Sequence, residues 1–238
     1  FRNWWLFWLK SVNIILDIRD GWSIAIRSGY GGAVKPRAFK GWLATRIERF
    51  AVNRAALTIT CTPGLQAHLQ KVTGKKVLLI LNGYSEKDRE IVGKIRSETF
   101  VKSSQNELVA IVVGQFSEYG RDKAEIVIRK LSNKYFDKNV ILRLVGSNPE
   151  KNAWIANFIA SNKIYNLRIE ILNRLSRESM YKQILMADVG VTIIRDPNYE
   201  FGTKVFDYIL CGKEIFNYFD GMPSNRCIDP ENVGGEQN

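Results

Sequence analysis

The chain has 238 residues, 45% of them hydrophobic, enough to pack one large domain or two modest ones. Three cysteines (Cys61, Cys211, Cys227) stand far apart without CxxC or ligand-like spacing, which argues against a disulfide framework or a zinc site and fits a reducing compartment; the single histidine, His68, argues against histidine acid–base chemistry. The net charge of +11 is uneven, with 17 Lys/Arg against 7 Asp/Glu in residues 1–100 and 18 against 17 beyond, so the first half suits an anionic membrane surface, a phosphate-bearing substrate or a nucleic acid, or simply carries solubilising charge.

In chain order, the opening run RNWWLFWLK (residues 2–10) is far shorter than the ~20 residues a membrane span needs, and no signal-peptide cleavage pattern follows it. On a helix, Trp4, Trp5, Trp8 and Leu9 share one face, suited to packing on a sheet or to an interfacial membrane contact. The start at Phe1, without an initiator Met, reads as an excised piece. Residues 12–16 read as a buried strand ending in Asp17-Ile18-Arg19-Asp20, and a glycine-bearing loop follows (Gly29, Gly31, Gly32). Residues 42–55 have helical periodicity, with Leu43, Ile47, Phe50 and Ala51 on one stripe. Residues 57–61 form a strand, Thr62-Pro63 an N-cap with proline at the first helical position, and residues 77–81 a strand closed by Asn82-Gly83.

Residues 84–106 are polar and read as a linker. Strands then recur at 108–113, 140–145, 168–172, 189–194 and 214–218, with helices at 123–134, 151–162, 176–186 and 203–211. This alternation predicts an α/β fold of right-handed βαβ units with parallel sheets, and ligands beyond the strands' carboxyl ends. Two loops there carry the chemistry. Gly114-Gln115 at a strand end, followed by Arg121 and Lys123, combines close backbone approach with cations that favour phosphate. Glu200-Phe201-Gly202-Thr203-Lys204 leads into a helix on which Asp207 shares a face with Thr203, the placement a ribose-binding carboxylate needs. The alternative is a capped helix with an exposed Asp. No metal-binding DxD stands at a strand end, so no metal site and no cofactor are expected.

The segments Asp17 to Trp22, Leu79 to Gly83, Val113-Gly114 with Arg121, Leu144 to Gly146, Leu175-Ser176 through Asp188 to Val191, and Gly202 to Tyr208 through Cys211-Gly212-Lys213 resemble, in order and spacing, the family 4 (group 1) glycosyltransferases of the GT-B fold. That resemblance implies two Rossmann-like doubly wound domains: the second part of an acceptor domain at 1–83, a linker at 84–106, and a nucleotide-sugar-binding domain at 107–238. The acceptor domain would lack its first strands.

It implies further that Gly114, Gln115, Lys123, Arg174, Leu175, Glu200, Phe201, Gly202, Thr203 and Asp207 bind the donor, with Asp207 on the ribose. Tyr199 stands where the family's first acidic residue is expected and Glu200 is displaced by one. Arg121 and Lys204 would stabilise the diphosphate, and Arg19 and Asp20 would face the reacting sugar from the acceptor side, though Asp17 and Arg19 equally suit a structural ion pair. The expected reaction is transfer from a nucleoside-diphosphate sugar to a glycan or polyprenyl-linked acceptor, with retention and without a metal. The expected setting is cytoplasmic, with peripheral contact at the inner face of an anionic membrane and no nucleic-acid partner. A nucleotide-sugar epimerase or inactive relative of the same fold, and a basic nucleic-acid-binding protein, are the other readings.

Overall fold

A computed structural model describes residues 13–28, 38–97, 106–194, 196, 198–199 and 202–218. The tryptophan-rich opening, the Gly29–Gly32 loop, Glu200, Phe201 and the tail from residue 219 lie outside them. The chain divides into two compact units, residues 1–82 with 195–201, and residues 83–194 with 202–238.

The first unit is a parallel three-stranded sheet in the order β1-β2-β3, formed by β1 (Ile15–Ile18), β2 (Leu57–Thr60) and β3 (Leu78–Leu79). Its helices are α1 (Trp22–Ser28), α2 (Ala38–Arg54) and α3 (Pro63–Thr73). β1 begins later than the apolar run suggests. It takes in Asp17 and Ile18, because Ile15 to Ile18 register on Leu57 to Thr60 and alternation sends Leu16 and Ile18 onto the core of Val52, Leu65, Leu69 and Val77.

α2 also departs from expectation. Its buried face consists of small residues and one acid (Gly41, Ala44, Glu48, Ala51, Val52), whereas Leu43, Ile47 and Phe50 are 41–48% exposed. Glu48 explains part of this. Its Oε1 accepts from Ser23 Oγ at 2.9 Å and lies 3.3 Å from His68 Nε2, so one buried carboxylate ties α1, α2 and α3 together. The same ring nitrogen faces both Ser23 and Glu48, a structural arrangement rather than a proton relay. α3 starts where Thr62 caps it, accepting from the Leu65 amide at 3.2 Å. Thr62 Oγ1 also donates to the Tyr199 carbonyl at 2.7 Å, and a Cβ on Gly64 would lie 1.7 Å from the Asn198 carbonyl oxygen, so only glycine fits there.

The second unit is a five-stranded parallel sheet in the order β6-β5-β4-β7-β8. Its elements are α4 (Glu86–Arg96), β4 (Glu107–Val113), α5 (Arg121–Lys134), β5 (Asn139–Val145), α6 (Pro149–Asn152), α7 (Trp154–Ser161), β6 (Leu167–Leu172), α8 (Arg177–Met186), β7 (Val189–Thr192), α9 (Lys204–Leu210) and β8 (Glu214–Asn217). Both faces are covered, as parallel sheets require. Ala110, Val112, Leu142 and Leu144 join the core with α5 and α7, while Val109, Ile111, Ile141 and Val145 join the core with α4, α8 and α9.

The expected linker is in part a helix. Ser85 and Asp88 form a capping box at the start of α4, and Val92 and Ile95 pack with Tyr181 and Ile184. The polar composition of residues 84–106 conceals this single apolar stripe. The expected helix at 151–162 is divided at Ala153 into α6 and α7.

Candidate functional site

Strand order reverses beside β4: β5 and β6 lie on one side, β7 and β8 on the other. At such a switch point the loops leaving the strand ends diverge and open a crevice. A cavity of about 580 Å³ lies there, within the second unit.

Glycine turns shape its floor. Gly114 follows β4 with φ +104°, and Gly146 follows β5 with φ +80°, conformations that carry a chain abruptly off a strand end and that side chains with a Cβ rarely adopt. Gln115 is exposed at the rim, whereas the next residue, Phe116, is fully buried and anchors the loop. Ser147 Oγ donates to the Gly114 carbonyl, tying two of these loops together. Arg174 and Leu175 leave β6 to form another side of the cavity. Ser176 then caps α8, accepting from the Ser179 amide at 3.2 Å.

Thr203, Lys204 and Asp207 close the cavity from α9. Tyr208 holds that helix in place. Its ring lies flat on Gly190, where a Cβ would come within 2.4 Å of it. The phenol oxygen accepts from the Val113 amide at 3.1 Å and lies 3.3 Å from the carbonyls of Ile111 and Val191, so α9 is pinned to the ends of β4 and β7. Burial, with the Asp207 charge adding to it, pushes the pKa of this phenol well up against the opposing Val113 hydrogen bond and keeps it protonated. Asp207, 8% exposed, receives Tyr181 Oη on Oδ1 at 2.8 Å and Lys204 Nζ on Oδ2 at 3.0 Å.

The cavity thus brings together Gly114, Gln115, Arg174, Leu175, Thr203, Lys204 and Asp207 of the residues expected from sequence. Gly202, with φ +70°, leads into Thr203. Arg121 and Lys123 are not in its lining. Arg121 pairs with Glu125 at 3.1 Å and lies 4.4 Å over the Trp154 ring; Lys123 Nζ reaches the Tyr119 carbonyl at 3.4 Å. The 3-10 turn at Ser117–Tyr119 and Gly120, at φ +132°, separate both cations from Gly114. Arg19 and Asp20 belong to the first unit, where Arg19 Nε spans both Asp17 oxygens at 2.7 and 2.9 Å and Nη1 donates to Asn82 at 2.7 Å. The structural ion pair is therefore present. Asp20 is exposed, its carbonyl accepting from the Trp22 amide at the start of α1.

Sequence reasoning did not assign six lining residues to the site, Gly83, Val113, Val145, Gly146, Arg177 and Met180, of which the last two come from α8. The recognised Ser176 cap contained the signal, since residues one and four positions after a cap share a helix face at the strand-end side. Arg177 grips the buried Asp88, with Nη2 to Oδ2 at 2.6 Å and Nε to Oδ1 at 2.5 Å. Burial pushes the Asp88 carboxyl up, but the Ser85 hydrogen bonds, the nearby Tyr181 hydroxyl and the Arg177 charge outweigh it and hold the group below the ordinary range. The lining therefore carries three cations (Arg174, Arg177, Lys204) and one carboxylate (Asp207), a balance that suits a polyanion bearing hydroxyl groups. Among the described residues, no group of three or more His, Cys, Asp or Glu side chains is placed to hold a metal, and no helix is long and apolar enough to cross a membrane.

Parallel, helix-flanked sheets with a cavity at the strand ends are the architecture of the GT-B glycosyltransferases, and this chain has that fold. It is similar to sucrose-phosphate synthase from Thermosynechococcus elongatus, with a TM-score of 0.64 and 16% identity over 90% of this chain and 52% of that one. It is similar also to HepE of Anabaena in complex with UDP-glucose (0.57, 16%, 86% and 53%), and to WaaG, a glycosyltransferase involved in lipopolysaccharide biosynthesis (0.51, 15%, 85% and 55%). The chain spans about half the length of these structures. No family model and no curated protein sequence matches it.

Proposed function

We propose that the chain is the donor-binding part of a glycosyltransferase of the family 4 kind, moving a hexose from a nucleoside-diphosphate sugar to a glycan or polyprenyl-linked acceptor. The observation that carries this reading is the second unit's switch-point cavity, in which three cations and the buried Asp207 face one space. Lys204, Arg174 and Arg177 would neutralise the diphosphate, the Gly114 and Gln115 backbone would approach it, and Asp207 would accept hydrogen bonds from ribose hydroxyls. The role of Gly202 is to turn the chain into that helix, with Glu200 and Phe201 beside it in sequence.

The proposed step retains anomeric configuration and requires no metal. The bond between the sugar C1 and the leaving phosphate oxygen breaks, and a bond from C1 to the acceptor oxygen forms on the same face. The acceptor's proton passes to the departing phosphate oxygen. Arg19 and Asp20 are assigned to the acceptor side, and Arg121 and Lys123 to a second rank of phosphate cations. The setting proposed is the cytoplasmic side of an anionic membrane, which the charge of the first hundred residues would favour.

The test is a thermal-shift panel with UDP, GDP, ADP, TDP and CMP on the wild-type chain and on Asp207→Ala. A nucleotide at 100 times its dissociation constant adds about 2.7 kcal/mol, a shift of several degrees. One diphosphate should stabilise the wild type and lose its effect in Asp207→Ala; no shift with any nucleotide contradicts the reading. An inverted product anomer, read by NMR, would contradict retention.

A further inference from the structure

Tyr181 is fully buried and contributes nothing to the cavity wall, yet it touches the groups behind it. Its phenol oxygen lies 2.8 Å from Asp207 Oδ1. Arg177, one turn earlier on α8, lies near that phenol and grips Asp88, and both neighbours raise its pKa. A guanidinium has donors only, so the phenol's own hydrogen can go only to a carboxylate and not to Arg177. Asp88 lies beside the same phenol, its Oδ2 taking the Ser85 amide at 3.0 Å, the Ser85 hydroxyl at 2.6 Å and Arg177 Nη2 at 2.6 Å. The phenol hydrogen goes to Asp207 Oδ1, the acceptor at hydrogen-bonding distance. Burial, with the Asp207 carboxylate beside it, pushes the Tyr181 pKa well up, so the hydrogen stays in place at neutral pH.

The two oxygens of Asp207 are therefore unequal. Oδ1 is held from inside the core, while among the described residues Oδ2 is held only by Lys204, whose side chain is 42% exposed. A solvated cation exchanges partners at little cost, and a buried phenol does not.

We propose that Tyr181 is a positioning residue for nucleotide recognition, fixing Asp207 through Oδ1 so that Oδ2 is the oxygen offered to a ribose hydroxyl when Lys204 turns to the diphosphate. The proposal rests on the donor-pocket reading above.

Calorimetric titration of UDP and of its 2′,3′-dideoxy analogue tests it, on the wild type, Tyr181→Phe and Tyr181→Met. Met fills irregular space and serves where Phe does not fold. The wild type should prefer UDP by about tenfold or more, the worth of a hydrogen bond to a charged acceptor. In a Tyr181 variant the preference should fall to about threefold or less with the affinity for the dideoxy analogue little changed. An unchanged preference, or equal weakening of both nucleotides, overturns the positioning role. A wild type that binds both nucleotides equally overturns it too, while leaving the donor pocket standing. A wild type that binds neither overturns both.

Discussion

The two units of this chain repeat one rhythm of strand and helix and bury it very differently. In the second, β4 and β5 at the centre of five strands send alternate residues into two separate cores, and Leu142 and Ile111 are fully buried. In the first, the described residues give three strands a core of four buried residues, while Ile15 on β1 and Phe39 and Trp42 on α2 are 54–70% exposed. A parallel sheet is stable when both of its faces are covered. Among the described residues, similar sequence patterning gives a sheet covered on both faces in the second unit, and the cavity lies in that unit.

The largest expected effect is in the central sheet. Leu142→Ala should lower the unfolding free energy of the second unit by about 2–5 kcal/mol, measured by denaturant titration. Leu78→Ala, at a 42% exposed position of β3, should cost about 0.5 kcal/mol or less. Equal costs would break the comparison. Next comes Gly190→Ala, which forces a methyl group against the Tyr208 ring and should destabilise by about 1–3 kcal/mol, with loss of nucleotide binding as α9 shifts.

The pH dependence sharpens the contrast further. The folded Asp88 carboxyl lies below its unfolded value, so its contribution is complete above about pH 3.9 and is lost as pH falls through the lower folded value. Tyr181 and Tyr208 are raised in the fold, so their contribution is complete below about pH 10 and is lost as pH rises beyond it. Hydrogen exchange followed from pH 3 to 11 should show α4 and α9 loosening at the acid and alkaline ends respectively; Asp88→Asn should abolish the acid-side change. The smallest effect is expected at Arg19. Its pair with Asp17 has side chains 44% and 46% exposed, so Arg19→Gln should change stability by about 1 kcal/mol at most in thermal melts.

Much of the second unit was legible in its sequence. Runs such as Leu108 to Val113 are apolar, bounded by glycine and spaced by helical stretches, and the Ser176 cap and the Gly202–Asp207 turn stand where their spacing places them. What escaped depends on distance along the chain. Nothing in the sequence near Ser85 indicates that Asp88 meets Arg177, 89 positions later, or that Tyr181 reaches Asp207, 26 positions later. Arg121 lies over the Trp154 ring and pairs with Glu125 one turn on, and its stacking partner 33 positions later is not visible from the sequence around Gly114. In the first unit, α2 was read through its large apolar residues, whereas the helix buries alanines, a glycine and a glutamate.

The central claim, that the second unit carries a nucleotide-diphosphate pocket between Gly114, Arg174 and Asp207, is tested most directly by hydrogen exchange with and without saturating UDP. The account predicts added protection in peptides covering residues 113–116, 174–181 and 202–208. Protection confined to other peptides, or none at a concentration that saturates binding, would contradict it.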